Sequence, residues 1–298
     1  MRRTCLAARV ALPLALALTP AALAAQAIQA VPAITAPEPG RGLPEGQPRG
    51  ILHVGQLVQA EIRPGWMTPA GTRMAALHLR LAPGWKTYWR VPGEAGIAPR
   101  FDWSASQNLG EVRIHWPRPD IFDQGGFRSI GYHDELVLPL ELTPARAGRP
   151  IVLDGQIALG VCDDICVPVD LHVTGALRGE GARDALIAGA LATVARPARE
   201  GGLRGNLRCQ AEPAGRGLAV TLRATLPPQG GAEHMVMELP GARAWVGETR
   251  TWREGADLMA RAQVRAPRGE PLSLDRSGVL VTVLGGAAML EHTGCTAD

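Results

Sequence analysis

The sequence has no apolar run of comfortable membrane-spanning length. Its best candidate, Val10 to Leu18, is short and interrupted at Pro13, with Pro20 just beyond, whereas a spanning helix needs about 20 apolar residues. Nothing later in the chain reaches that length either, and a soluble mature chain is expected. Val10 to Leu18 reads instead as the core of a secretory signal, with Arg2, Arg3 and Arg9 forming its positive end and Ala22-Leu23-Ala24 its small-residue cleavage site. No cysteine follows that site, which argues against a lipid anchor there.

Net charge is also lacking. The formal +3 includes Arg2, Arg3 and Arg9, so removal of residues 1–24 takes away three positive charges and no acids and leaves a neutral chain. That excludes the broad basic field by which nucleic acid is held. Lysine is nearly missing: of 31 basic residues only Lys86 is a lysine, a bias read here as that of a GC-rich coding sequence and not as function. Aromatic residues are scarce at 4%, yet there are 7 tryptophans, and Trp66, Trp85, Trp89, Trp103 and Trp116 all fall in one half. There is no Gly-x-Ser-x-Gly elbow or credible Ser/His/Asp set, which argues against a nucleophilic hydrolase. Phosphate-cradling glycine loops are absent too. The 7 histidines are scattered singly, without zinc-ligand spacing.

What is present is a β pattern. Residues 25–50, rich in Ala, Pro, Gly and Gln, read as a flexible leader. Strands are expected at Leu52–Val54 and Leu57–Ile62, then at Met74–Leu81, Val112–Trp116, Leu136–Leu142, Ile151–Leu159 and Val167–Val173. Short alternating segments broken by Pro/Gly turns predict an antiparallel sandwich. From Ala182 to Val194 the pattern turns alanine- and leucine-rich and Pro197 closes it, which predicts a helix. Strand patterns return at Leu218–Leu222, Met235–Met237, Met259–Val264 and Val279–Leu284. The expected organisation is all-β: a signal peptide at 1–24, a leader at 25–50, a first sandwich at 51–178, a helical linker at 179–197 and a second, smaller β domain at 198–298.

Cysteine carries the chemistry. Cys5 leaves with the signal, and Cys162, Cys166, Cys209 and Cys295 remain, an even number suited to an oxidising compartment. Cys209 with Cys295 would close a loop of roughly 85 residues, a structural link worth about 4–5 kcal/mol on the loop-entropy model. Cys162 and Cys166 stand apart by only three residues, in Val161-Cys162-Asp163-Asp164-Ile165-Cys166-Val167-Pro168. Three readings are open. Two thiolates suit Cu(I), a soft metal; a static bridge is possible in principle; and a redox-active bond is favoured, because so small a loop stabilises little. Asp163 and Asp164 disfavour a thiolate beside them, and no helix N-terminus is evident to offset them. Such a pair should react slowly with small thiols and need a docked partner to align attack.

An ordered series of motifs resembles one family. The series runs Gly84-Trp85-Lys86-Thr87-Tyr88-Trp89-Arg90-Val91-Pro92-Gly93-Glu94-Ala95-Gly96, Asp102-Trp103, Trp116-Pro117, Gly131-Tyr132-His133-Asp134-Glu135-Leu136-Val137-Leu138-Pro139, and then the cysteine segment. Over about residues 50–175 it is similar to the N-terminal periplasmic domain of DsbD-type disulfide reductases, closest to the branch associated with suppression of copper sensitivity. The resemblance implies an immunoglobulin-like domain with the cysteines on adjacent strand ends under a cap loop. It implies a periplasmic relay of electrons between thioredoxin-fold oxidoreductases. Cys166 would form the mixed disulfide and Cys162 resolve it. In Pro119-Asp120-Ile121-Phe122-Asp123-Gln124-Gly125-Gly126-Phe127 the cap aromatic would be Phe122, with Phe127 as the second candidate, while Trp85, Tyr88, Trp89 and Tyr132 would line the site beside Asp163 and Asp164.

Two departures accompany the resemblance. Well-known members place five residues between their cysteines where this chain has three. The usual parent protein also continues into a membrane electron conduit and a thioredoxin-like domain, so the donor is expected to be a separate protein, a membrane donor among the candidates, with a relay in another direction as the alternative. The sulfurs themselves carry the two electrons, and no cofactor or metal is called for. The alternative function is a non-enzymatic periplasmic Cu(I)-binding or scaffold module with two structural disulfides.

Overall fold

The computed structural model describes residues 54–297 apart from 125, 271 and 287. The expected signal peptide and leader, and the start of the first expected strand, lie outside the described residues. Within the stretch expected to be that strand, the chain makes a single helical turn, α1 (Val54–Leu57), and extends only from β1 (Val58–Met67). Then follow β2 (Arg73–Leu81), β3 (Lys86–Gly93), β4 (Arg100–Asp102), β5 (Leu109–Ile114), β6 (Asp120–Gln124), β7 (Phe127–His133), β8 (Glu135–Pro144), β9 (Ile151–Cys162) and β10 (Cys166–Leu177). They make two sheets, one ordered β1-β2-β8-β5 and the other β10-β9-β3-β7-β6, with β4 added on β9.

The sheets pack their apolar faces together. Leu77, Leu79, Leu138, Leu140 and Leu142 from the first sheet meet Trp89, Leu153, Ile157, Leu159 and Val161 from the second in one buried cluster. Alternation along each strand sends the next residue to the opposite face, which leaves the outer face of the second sheet free to carry polar chemistry. β2 is the exception, buried on nearly every residue.

Part of the cause of that exception is the helix. The expected helix over 182–194 is shorter, α2 (Ala185–Leu191), because Asp184 is already extended and serves as its N-cap. Its Oδ1 accepts hydrogen bonds from the backbone N–H groups of Leu186 and Ile187 at 2.9 and 3.0 Å. The helix docks Ile187, fully buried, against Met74 and Ala76 of β2. It is therefore packed on the first sandwich and covers Met74 and Ala76, while His78 further along β2 is held by Glu61 and Glu135.

The second part contains β11 (Arg196–Pro197), β12 (Arg204–Ala214), β13 (Gly217–Thr225), β14 (His234–Glu238), β15 (Trp245–Val246), β16 (Arg250–Glu254), β17 (Asp257–Arg265), β18 (Leu280–Leu284) and β19 (Met289–Thr293). Its sheets run β11-β19-β18-β14 and β12-β13-β17-β15, with β16 also on β17. They enclose a second apolar cluster that includes Leu207, Cys209, Val220, Leu222, Ala260 and Val281. Cys209 and Cys295 are bonded there, with Cα atoms 5.7 Å apart. The fold is all-β, as the sequence periodicity predicts, and among the described residues no helix is long and apolar enough to cross a membrane.

Candidate redox site

The site is the turn where β9 hands over to β10. The two strands pair without a break from Ile151↔Leu177 to Cys162↔Cys166, so the cysteines are the last matched pair before the turn. Asp163 N–H donates to the Ile165 carbonyl at 3.1 Å and closes the three-residue connection. The cysteine Cα atoms lie 4.2 Å apart and the sulfurs are bonded. Directly opposed residues at the narrow positions of an antiparallel ladder bring their side chains close, and the hairpin register alone joins this pair.

The two sulfurs have unequal access. Cys162 is fully buried at 0% exposure, whereas Cys166 is exposed, as are Asp163, Asp164 and Ile165 in the turn. Ile165 is a large apolar side chain at 52% exposure on the rim. A partner approaching from solvent meets Cys166 first.

Tyr88 is the aromatic residue that reaches the bond. Its hydroxyl lies 3.3 Å from Cys166 Sγ, and since a disulfide sulfur has no hydrogen, the phenol is the donor. Burial pushes the Tyr88 phenol above its usual range, which keeps the proton on oxygen. Behind it, the chain at Gly96 packs so closely on the Tyr88 ring that a Cβ there would lie 2.7 Å from ring Cδ1.

Across the outer face of the second sheet a row of side chains runs from β6 to the cysteines. Lys86 is matched with Cys162 on one side and His133 on the other. Phe122 on β6 packs on His133 with ring centroids 4.4 Å apart, and Lys86 Nζ sits 5.4 Å from the Phe122 ring centre. Phe122 thus adjoins the site through Lys86 and His133. Phe127, at the hairpin tip after Gly126 (φ 84°), projects outward at 57% exposure.

The other aromatic residues expected to line the site face the core. Trp89 is in the central cluster and Trp85 packs against it. Tyr132 belongs to the same cluster, with its hydroxyl donating to the Pro117 carbonyl at 2.8 Å. A cleft of about 830 Å³ between the two sandwiches, lined by residues including Pro92, Ile130, Met237 and Trp245, includes neither sulfur.

Lys86 is the residue that sequence reading missed. Its rarity was the available signal, and compositional bias explained it away. Its place beside Cys162 depends on the order β9-β3-β7, which joins segments far apart in the chain.

Residues 55–177 match the family described as thiol:disulfide interchange protein DsbD, N-terminal. Among solved structures, the N-terminal periplasmic domain of ScsB from Proteus mirabilis superposes with a TM-score of 0.56, covering 81% of this chain and 92% of that one at 23% identity, a likeness of fold. No curated protein matches the sequence.

Proposed function

We propose, from the premise that residues 55–177 are a DsbD N-terminal-type domain, that the chain is a periplasmic thiol–disulfide exchange protein working through Cys162 and Cys166. The observation that carries this reading is the asymmetry of the bond, with an exposed Cys166 joined to a fully buried Cys162. An exchange centre needs one sulfur that a partner reaches and a second that only the first can meet.

In the reducing direction, Cys166 thiolate attacks one sulfur of a partner disulfide. A Cys166–partner bond forms, and the partner's other cysteine leaves as thiolate. Cys162 thiolate then attacks Cys166 Sγ, the Cys162–Cys166 bond forms, and the partner's second sulfur is released. The pair loses two electrons and the partner gains two, with protons taken up on the partner's thiols. The same steps reversed reload the pair from a donor dithiol. Tyr88, donating to Cys166 Sγ, stabilises charge on that sulfur whenever it leaves or attacks. Partners are thioredoxin-fold oxidoreductases, whose exposed cysteines suit a centre reached from one side.

The test is a trap. In Cys162→Ser the mixed disulfide cannot be resolved, so non-reducing gels and mass spectrometry of the periplasmic fraction should show a thioredoxin-fold protein linked to Cys166. Cys166→Ser should trap at least about tenfold less, because its remaining sulfur is buried. Monomer alone from Cys162→Ser, with Cys209–Cys295 intact, would refute the exchange reading.

A further inference from the structure

We propose that the cleft between the two sandwiches is a docking groove for the exchange partner, taking an extended segment of that protein with apolar side chains and one basic side chain. The identity of this occupant rests on the exchange reading. The cleft encloses about 830 Å³, within the range of about 300–1,000 Å³ that binding sites use. Its apolar lining includes Val91, Ile130, Val236 and Leu239, and Trp245 stands at its side, 57% exposed. An exposed tryptophan over an apolar hollow is a frequent anchor of protein–protein contact. The groove also runs on from the sulfurs. Arg90 lines it, and Tyr88, whose hydroxyl meets Cys166 Sγ, is two residues back on β3. Alternation puts both on one face, about 7 Å apart along the strand. Gly96, which packs on the Tyr88 ring, is in its wall as well. A polypeptide held at Cys166 reaches the groove within its next few residues.

Backbone and charge specify the occupant. β14 is the last strand of its sheet, with β18 on one side and no strand on the other among the described residues. Val236, Met237 and Glu238 are consecutive and all line the cleft. Neighbours in a strand face opposite ways, so the cleft runs along the edge of β14 and not over one face of it. Met235 N–H points away from β18 and donates to the Thr251 hydroxyl at 2.9 Å. Alternation of the ladder turns the N–H and C=O of Met237 to that same side. Such an edge accepts an extended chain by strand addition. The lining carries three carboxyls, Glu94, Glu238 and Glu248, against one guanidinium, Arg90, which is already engaged by Glu238 and Glu291. His234 adds no positive charge at neutral pH, because burial and the Arg128 charge hold its pKa down to about 4. Glu94 and Glu248 are hydrogen-bonded to each other, and burial together with Glu94 pushes the Glu248 carboxyl up while Arg128 opposes. A basic side chain from the partner relieves the repulsion between these two carboxyls, whereas an acidic one adds to it.

Matched peptides test this on the processed chain, with fluorescence anisotropy of a labelled short peptide of alternating valine and threonine. With a central arginine it should bind at least about tenfold more tightly than with glutamate at the same place. Glu94→Gln combined with Glu248→Gln should cut that preference to within about twofold, and Trp245→Ala should weaken the arginine peptide at least about fivefold. The cleft includes neither sulfur, so reduction of Cys162–Cys166 by dithiothreitol should keep its rate in each variant. A second readout needs no variant and so survives a misfolded one: amide shifts in the unaltered protein should centre on Val236–Leu239 and Trp245. No binding, equal binding of the two peptides, or shifts centred elsewhere overturns the proposal. Self-association that Trp245→Ala abolishes overturns it too, since a second copy would then fill the cleft. Peptide binding in the cleft with no partner trapped through Cys166 would sink the exchange reading alone, and a trapped partner with an empty cleft would sink the docking groove alone.

Discussion

At Cys166 a single hydroxyl separates a bare surface sulfur from one that is prepared to carry charge. Tyr88 Oη is 3.3 Å from it, and a hydrogen bond to an ionised group contributes about 1 kcal/mol or more. Tyr88→Phe keeps the ring that fills the space in front of Gly96 and removes only that donor. The exchange rate through Cys166 should fall roughly fivefold, with unfolding by denaturant little changed; stopped-flow reaction with a thioredoxin-fold disulfide measures it, and an unchanged rate removes Tyr88 from the mechanism. The neighbouring Trp89 shows why such assignments are hard to make from sequence. Tyr88 and Trp89 are adjacent and both aromatic, and only the face-by-face alternation of β3 sends one to the sulfur and the other to the core. The cysteine pair itself was legible because its geometry is local, a hairpin whose two ends are the cysteines. Lys86 was not, because its meeting with Cys162 is set by which strands lie side by side.

Among the elements, α2 departs most from its expected form. Alanine and leucine content argued for a helix over 182–194, but Asp184 ends the extended chain and caps it, so the regular part starts at Ala185. Burial alone would push the Asp184 carboxyl up, yet the hydrogen bonds from Ile187 N–H and Arg63 hold it below its usual range. Arg63 Nε on β1 lies 2.7 Å from it, so the cap also fastens the helix to the sandwich. Asp184→Ala should cost about 1 kcal/mol in urea unfolding. A carboxyl with a depressed folded pKa contributes above its unfolded pKa and loses that contribution as pH falls through the folded value. The deficit of Asp184→Ala should therefore be full at neutral pH and fade at acid pH, and a pH-independent deficit would assign the effect to packing. Strand positions elsewhere were legible, since alternation and turn residues are written locally; the double-sided burial of β2 was not, because it needs a helix from more than a hundred residues away.

Across the molecule, Ile51–Asp298 forms one compact unit, and charged contacts join its two sandwiches. Arg90 on β3, stacked on Trp89 at 4.3 Å, donates to Glu238 on β14 and Glu291 on β19 at 2.9 and 2.6 Å. Arg128 on β7 meets Glu248 at 3.2 Å, so the strand paired with Phe122's own strand also touches the second sandwich. Each sandwich holds one disulfide, each with one fully buried cysteine, and the two bonds differ in the length of chain they close and in the exposure of the second cysteine. Cys209 is buried in an apolar cluster with Cys295 packed at its edge, and their bond spans a sequence separation of 86. The other spans a separation of 4, joins an exposed Cys166 to a buried Cys162, and receives the Tyr88 phenol.

On the proposed mechanism the small bridge cycles while the large one stands. Its most direct test is graded reduction of the folded protein, with differential alkylation and mass spectrometry reporting each bond separately. Cys162–Cys166 should open at a dithiol concentration at least about a hundredfold below that needed for Cys209–Cys295. Two bonds that resist reduction equally would make both of them scaffold, and the exchange mechanism would have no centre left to work through.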